Sequence, residues 1–256
     1  STPESVRGKF LAFAQEDTAP VNHLKALADA GVTHFHMLPA NDIATIDERS
    51  DRTVDLNSTV FELCLLNRRL DICEDTSIRD MTLQQVLESY DPFLDPAAAQ
   101  ELMNQVRNYD QFNWGYDPHH FNAPEGSYAT DPDGVARILE MRTMIKALHD
   151  MGLRTVLDVV YNHTNASGLS EKSVLDKVVP GYYHRYDIAS GGILRQSCCD
   201  DTEDRSRMMT KFMQDSLLMW TTQYKFDSFR FDLMGLHSEE TVLALREAVQ
   251  AVDPDN

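Results

Sequence analysis

The sequence is poor in basic residues and in long apolar runs. It has 23 Lys and Arg against 41 Asp and Glu, a formal net charge of -18. Such a surface repels phosphate backbones and anionic lipids, so neither nucleic acid nor a membrane surface is an expected partner. No apolar run approaches the roughly 20 residues of a membrane span. The N-terminal "STPESVRGKF" also lacks the pattern of a signal peptide, so the protein is cytosolic or its true N-terminus lies outside this sequence.

Cysteine is also scarce, with four residues in the chain. No Cys-x-x-Cys with histidine partners occurs, which argues against a cysteine-type structural zinc site. Cys64 and Cys73 could close a short loop. Cys198 and Cys199 are adjacent and are not expected to form an ordinary bridge to each other.

Glycine-rich phosphate-binding motifs are absent as well: neither GxGxxG nor GxxxxGK[ST] follows a predicted strand, which argues against a nucleotide-binding doubly wound fold. The sequence instead alternates strand-like and helical stretches. The predicted strands are "VTHFHMLP", "NWGYDP", "LRTVLDVVYNH" and "FDSFRFDLMG". Fourfold alternation indicates a parallel α/β architecture, and both a doubly wound sheet and a (β/α)₈ barrel fit it.

The helical stretches carry recognisable signals. "TDPDGVARILEMRTMIKALHDMG" is predicted as a helix with Asp131 as N-cap and Pro132 at its first position. Ser238 is predicted to cap the last helix. The methionine-rich side of "RSRMMTKFMQDSLLMWTTQYK" is predicted as core packing. The polar stretch at about 41–111 is predicted to hold short helices such as "TLQQVLESY".

The stretch "FDSFRFDLMG" carries two charges two residues apart. In a strand, Phe229, Phe231 and Leu233 share one face, while Arg230 and Asp232 share the other. An isolated buried charge is too costly to keep, so the second face needs a polar partner or a ligand. A structural ion pair explains this face as well as a functional site does.

Three predicted strand ends deliver polar or aromatic groups to one region. Asp158 and His163 follow one strand, and Tyr116 lies in "NWGYDP". In parallel α/β folds, ligands bind at the carboxyl ends of the strands. Carboxylates together with an aromatic ring suit the oxocarbenium-like transition state and flat rings of glycoside hydrolysis. A single buried histidine or aspartate would usually be structural, but convergence of three ends favours a site.

These motifs resemble the α-amylase superfamily of glycoside hydrolases. "DVVYNHT", followed about 70 residues later by "FRFDLMG", is similar to its first two signature regions. "NWGYDPHHFNAPEGSYATDPDGVARI" and "VLDKVVPGYYHR" resemble the bacterial pullulanases of its debranching branch. The resemblance implies a (β/α)₈ TIM-type barrel in which residues 1–256 supply about the first four βα units of the catalytic domain, with a long insertion at about 41–111.

The resemblance also implies an activity. It predicts a secreted, retaining hydrolase of starch metabolism that cleaves α-1,6-glucosidic branch linkages in pullulan, amylopectin or limit dextrins. Two alternatives stay open: another α-amylase-type starch hydrolase, and a non-catalytic carbohydrate-binding half-barrel. The expected partners are an α-glucan and the C-terminal half of the barrel, and the expected location of the parent enzyme is extracellular or at the cell surface.

Residue roles follow from the same resemblance. Asp232 matches the catalytic nucleophile, and Arg230 matches the residue that orients it. A cation beside a carboxylate favours its charged, nucleophilic form. Tyr116 matches the ring that stacks on the sugar at the cleavage subsite.

Further matches complete the predicted site. The substrate-binding set, besides Tyr116, consists of Asp117, His163, Trp114 and Leu233. Asp158 and Asn162 are predicted as structural residues beside the site. Asn162 lies near a bound calcium ion in some relatives, so the resemblance leaves room for a structural calcium in the full-length enzyme, although the chemistry needs no cofactor and no metal ligand is assigned. Cys64 and Cys73 are predicted to be bridged if the parent is secreted.

The chain departs from the family pattern at three places. Ser228 stands where relatives usually have Gly, and Leu236 stands where a larger polar or aromatic residue is common. The Gly-Glu-Gly motif that carries the general acid is absent from the 256 residues. The chain alone is therefore expected to be inactive.

Overall fold

The computed structural model describes residues 1–91 and 93–254 of the chain. These residues form two compact units, one made of Ser1–Ala44 with the chain from Trp114 onward, and the other of Thr45–Asn113. Within the described ranges, no helix combines the length and the apolar character needed to cross a membrane.

The regular elements follow one another along the chain in a mixed order. The strands are β1 (His34–Met37), β2 (Arg154–Val159), β3 (His163–Thr164), β4 (Asp200–Asp201) and β5 (Ser228–Phe231). The helices are α1 (Ala19–Asp29), α2 (Val60–Leu66), α3 (Leu83–Ser89), α4 (Ala98–Val106), α5 (Ala136–Asp150), α6 (Leu175–Val178), α7 (Arg207–Met219) and α8 (Glu239–Val252).

The first unit is built on a parallel sheet with the strand order β1-β2-β5. Strand β2 lies in the centre, pairing His34 with Arg154 on one side and Asp158 with Arg230 on the other. Most of β2 is buried, as its nearly continuous apolar run predicts for a strand covered on both faces. A two-stranded antiparallel ribbon, β3 with β4, follows β2. The predicted parallel α/β architecture is confirmed.

The prediction of four parallel strands is wrong for the described residues, which contain three in this sheet. The stretch "NWGYDP" forms no strand, because Gly115 adopts a φ of +88° and extended backbone requires a negative φ. A Cβ at Gly115 would lie 2.4 Å from the carbonyl oxygen of Pro39. The close approach of the two segments therefore requires glycine here.

Helices α5 and α7 each line the buried core of this unit with one apolar side. Met209, Met213, Leu217 and Trp220 are fully buried, so the methionine-rich stripe is core packing as predicted. Ser238 accepts a hydrogen bond from the Thr241 amide at the start of α8, which confirms the predicted cap.

The predicted start of α5 is wrong. The helix begins at Ala136, because Gly134 adopts a φ of +66° and interrupts helical backbone after Pro132. The Asp131 carboxylate instead accepts a hydrogen bond from the Asp133 amide in the preceding turn.

The second unit is a small helical body with a core of its own. Each of α2 and α3 begins with a capping box, formed by Thr59 with Glu62 and by Thr82 with Gln85. The core residues are Val54, Val60, Leu63, Ile72, Leu83, Val86, Leu102 and Val106. The structure joins Cys64 and Cys73 in a disulfide, which closes a loop beside α2.

Candidate active site

The carboxyl ends of β2 and β5 carry the charged residues of the candidate site. Asp158 and Arg230 are register partners across the two strands, so their side chains leave the sheet on the same side. The Asp232 amide donates to the Val159 carbonyl at 3.0 Å, extending the ladder one residue beyond β5. This backbone bond places Asp232 at the carboxyl end of the sheet.

One guanidinium nitrogen connects the three charged residues. Arg230 Nη1 donates to both carboxylate oxygens of Asp158 at 2.9 Å and to Asp232 Oδ1 at 3.0 Å. The side chain of Asp158 is 1% exposed and that of Asp232 is 15% exposed. Asp158 is therefore sealed beneath Arg230, while Asp232 keeps access to a ligand.

Tyr116 joins this network from a separate segment. Its hydroxyl donates to Asp158 Oδ2 at 2.9 Å. Burial and the hydrogen bond to Asp158 raise the pKa of Tyr116 to about 12. The hydrogen bond to Asp158 also raises the pKa of Arg230, so both donors keep their protons at neutral pH.

His163 and Asn162 form a second layer behind Tyr116. His163 Nε2 donates to the Tyr116 carbonyl at 2.9 Å, and Asn162 Nδ2 donates to His163 Nδ1 at 3.0 Å. Both ring nitrogens are thus hydrogen-bonded within the protein, and His163 is 2% exposed. In this structure His163 positions Tyr116, and its predicted contact with a sugar stays a prediction.

The remaining predicted substrate contacts lie near this network. Trp114 lies two residues before Tyr116 and is 64% exposed. Asp117 holds that segment through its carbonyl, which accepts from the Ala44 amide at 2.8 Å. Leu233 adopts a left-handed φ of 44° and is 47% exposed. It therefore does not continue the strand face that it was predicted to share with Phe229 and Phe231.

Two features of the site have no clear signal in the sequence. His36 Nε2 on β1 lies 3.6 Å from Asp158 Oδ2. The buried Asp204 accepts from the amide and hydroxyl of Ser238 at 2.6 and 2.9 Å and from Arg185 at 2.8 Å. Arg185 also donates to the Leu236 carbonyl at 3.2 Å, so this cluster holds the loop that follows Asp232.

The structure joins the adjacent Cys198 and Cys199 in a disulfide, so the expectation that they would not bridge each other is wrong. Both residues lie in a bend of the chain that directly precedes β4. The sulfur atoms and a ring nitrogen of His163 lie within 4.8 Å of one another. The disulfide therefore lies beside the layer that positions Tyr116.

Comparison with known proteins places this chain in a family. The model of the Pullulanase Ins domain matches residues 43–112. Pullulanase of Klebsiella aerogenes is 44% identical over 261 residues, covering 100% of this chain and 24% of that protein. The chain belongs to the pullulanase family. Pullulanase 1, chloroplastic, of Arabidopsis thaliana is 40% identical over 248 residues, covering 96% of this chain and 23% of that protein.

Solved pullulanase structures share the fold of the whole described chain. The crystal structure of PulA from Klebsiella oxytoca has a TM-score of 0.93 at 44% identity, covering 99% of this chain and 25% of that one. The structure of Klebsiella pneumoniae pullulanase complexed with maltotriose has a TM-score of 0.93 at 42% identity, with the same coverage of 99% and 25%. The chain thus spans about a quarter of the length of the relatives it matches.

Proposed function

We propose that this chain carries the nucleophile side of the active site of a debranching α-glucan hydrolase. In this proposal the full-length enzyme cleaves α-1,6 linkages of pullulan, amylopectin or limit dextrins with retention, and the first unit belongs to a (β/α)₈ barrel. The single observation that carries the proposal is the convergence of Asp232, Arg230 and Tyr116 at the carboxyl ends of parallel strands. Active sites of such barrels lie at that end.

The geometry supports Asp232 as the nucleophile. Its carboxylate is positioned by the Arg230 guanidinium and remains partly accessible, whereas Asp158 is sealed. In a retaining mechanism the nucleophile attacks the anomeric carbon while a second carboxyl group, about 5 Å away, protonates the leaving oxygen. Arg230 Nη1 donates to Asp232 Oδ1 at 3.0 Å and so orients the carboxylate for this attack.

The family supports an α-glucan as the substrate, because a related pullulanase has been crystallised with maltotriose. Carboxylates alone suffice for the chemistry, so the proposal includes no cofactor. A structural calcium in the full-length enzyme stays a prediction. Asn162 Oδ1 is buried and has no hydrogen-bond partner, but calcium takes six to eight oxygens.

An extracellular location for the parent enzyme is also part of the proposal. It is supported by the disulfides Cys64–Cys73 and Cys198–Cys199, because disulfides persist in oxidising compartments.

The test is Asp232→Asn in the full-length enzyme, with pullulan and amylose as substrates. We expect hydrolysis of pullulan by the wild type, and a loss of roughly 10⁴-fold or more in kcat for the variant, with pullulan binding retained. Asp150→Asn, at an exposed ion pair with Lys146, is the matched control and should keep full activity. Retention of more than about a hundredth of the activity contradicts the role of Asp232. Cleavage of amylose but not of pullulan favours another α-amylase-type enzyme, and pullulan binding without any hydrolysis favours a carbohydrate-binding role.

A further inference from the structure

A second group of ligating side chains lies outside the network of Arg230. It consists of Asp42, His119 and His120, whose ligand atoms all lie within 4.8 Å of one another. His119 Nδ1 is 3.4 Å from Asp42 Oδ2, and His120 Nδ1 contacts the same oxygen. Neither the amylase-type chemistry nor the packing of the core uses this cluster.

The backbone holds the ligand-bearing residues in place. The Asp42 amide donates to the Ala123 carbonyl at 2.8 Å, and the His119 amide donates to the Asp42 carbonyl at 2.9 Å. Ile43 and Pro118 form an isolated antiparallel bridge directly beside them. The two segments are therefore paired on both sides of the cluster, so a ligand would not have to order them.

The separation of His119 and Asp42 suits a metal better than a direct hydrogen bond. A distance of 3.4 Å exceeds the usual range for N–H···O bonds, which ends at about 3.2 Å. Bonds of about 2.0–2.1 Å to a tetrahedral zinc ion place neighbouring ligand atoms about 3.3–3.4 Å apart. The His120 contact is closer than this spacing, so zinc binding would require its side chain, which is 53% exposed, to move outward.

We propose that Asp42, His119 and His120 bind a zinc ion. Two imidazole nitrogens and one carboxylate oxygen are a common donor set for Zn²⁺, whereas Ca²⁺ and Mg²⁺ prefer oxygen ligands alone. Three protein ligands leave one coordination position open, and the exposure of His120 places that position toward solvent. The ion would fasten the segment of Asp42 to the segment that carries Tyr116, three residues before His119.

The test uses the untagged full-length enzyme after chelation and dialysis, titrated with ZnCl₂ by calorimetry. We expect saturable binding, with the zinc stoichiometry falling by one in the double variant H119Q/H120Q. Asp42→Asn should weaken that site at least tenfold. His23→Gln, at an exposed histidine of α1, is the matched control and should leave stoichiometry and affinity unchanged.

A second measurement needs no variant. X-ray absorption of the wild type with one equivalent of zinc should show nitrogen and oxygen ligands with imidazole scattering. Sulfur ligands would assign the ion to cysteine thiolates, such as those that reduction of the Cys198–Cys199 disulfide would free, and would overturn the proposal. Absence of saturable binding, or a stoichiometry that the H119Q/H120Q pair does not change, would overturn it as well.

Discussion

Arg230 and Asp158 are directly opposed across β2 and β5, and Arg230 Nη1 lies 2.9 Å from both carboxylate oxygens of Asp158. The same nitrogen lies 3.0 Å from Asp232 Oδ1. The buried carboxylate therefore fixes the guanidinium, and the guanidinium fixes the carboxylate that a substrate can reach. Asp158 therefore acts on the site through Arg230: its predicted structural role is to hold the guanidinium that positions Asp232.

Arg230→Lys tests this arrangement, because an ammonium group keeps the charge and loses the planar guanidinium. Losing one charge-assisted hydrogen bond costs about 1.5–3 kcal/mol, so we expect kcat on pullulan to fall roughly 10- to 150-fold. Arg7→Lys, at an exposed arginine of the same unit, should change kcat less than about twofold. Equal activity of the two variants would show that the geometry around Asp232 does not depend on the guanidinium.

Tyr116→Phe distinguishes the contribution of the Tyr116 hydroxyl from that of its ring. The hydroxyl donates to Asp158 and is protonated throughout the neutral range, since burial and the hydrogen bond to Asp158 raise the pKa of Tyr116 to about 12. We expect the Phe variant to lower kcat roughly 3- to 30-fold, from the loss of about 0.7–2 kcal/mol, while KM stays unchanged.

Two further variants complete this test. If Tyr116 stacks on the sugar as the resemblance predicts, Tyr116→Ala should also raise KM, because it removes the aromatic face. Tyr109→Phe, which removes another hydrogen-bonded hydroxyl, is the control and should leave both constants unchanged. A KM that does not respond to Tyr116→Ala would remove the stacking role.

Parts of this arrangement were predictable from local sequence patterns. The buried run of β2, the cap at Ser238 and the placement of Arg230 and Asp232 all depend on residues close in the chain. The absence of a strand in "NWGYDP" depends on the close approach of Gly115 to Pro39. These two residues are 76 positions apart in the chain (115 − 39). Sequence periodicity carries no signal for such a contact.

The support of the loop after Asp232 was unpredictable for the same reason. Asp204 and Ser238 are 34 residues apart and meet through a single buried carboxylate. An acidic residue in a run such as "DDTED", residues 200–204, is normally exposed, so the burial of Asp204 becomes evident only from the packing. His163 shows the opposite case. The motif predicted a contact between His163 and a sugar, but in the structure its ring is hydrogen-bonded to the Tyr116 backbone carbonyl.

Asp204 should make stability depend on pH. Burial alone would raise the pKa of Asp204, but hydrogen bonds from the amide and hydroxyl of Ser238 and the charge of Arg185 outweigh it, so the pKa is lowered. Because the pKa of Asp204 is lower in the folded state, its ionisation stabilises the protein at pH values above the unfolded-state pKa of about 3.9. That contribution is lost as the pH falls below this value toward the folded pKa.

Urea unfolding of the wild type and Asp204→Asn at pH 7 and pH 3 measures this contribution. We expect the variant to lose about 1–3 kcal/mol of unfolding free energy at pH 7 and to show a smaller decrease between pH 7 and pH 3. Asp215→Asn, at an exposed pair with Lys211, should stay within about 0.5 kcal/mol of the wild type. An unchanged pH dependence in Asp204→Asn would assign the acid sensitivity to other carboxylates.

The Cys64–Cys73 disulfide should stabilise the second unit. The bridge spans nine positions, and closing a loop of this length is worth roughly 2–3 kcal/mol in the chain-entropy model. We expect the double variant C64S/C73S to lower the protection of α2 amides in hydrogen exchange while β2 amides stay unchanged. Non-reducing peptide mapping of protein from the culture medium should show the two cysteines linked, and free thiols there would contradict the bridge.

The 256-residue chain on its own should be catalytically silent. Retaining hydrolysis needs a second carboxyl group about 5 Å from the nucleophile. Asp158 shares Arg230 with Asp232 but is 1% exposed and accepts from Tyr116, so it is not available to protonate a leaving group. Glu125 is fully buried and accepts from the Ile43 amide at 2.7 Å, and Glu203 pairs with Arg185.

Reducing-sugar release from pullulan by the purified chain is the measurement, with the full-length enzyme as the positive control. We expect no turnover above the level of the Asp232→Asn chain, because none of the three carboxyl groups considered above is available to the leaving oxygen. Circular dichroism of both chains checks that they are folded to the same extent, since β1 and β5 each leave one sheet edge unpaired in the described residues and exposed edges promote association. Sustained turnover that Asp232→Asn abolishes would mean that the chain supplies its own acid, and E203Q would then be the first variant to examine.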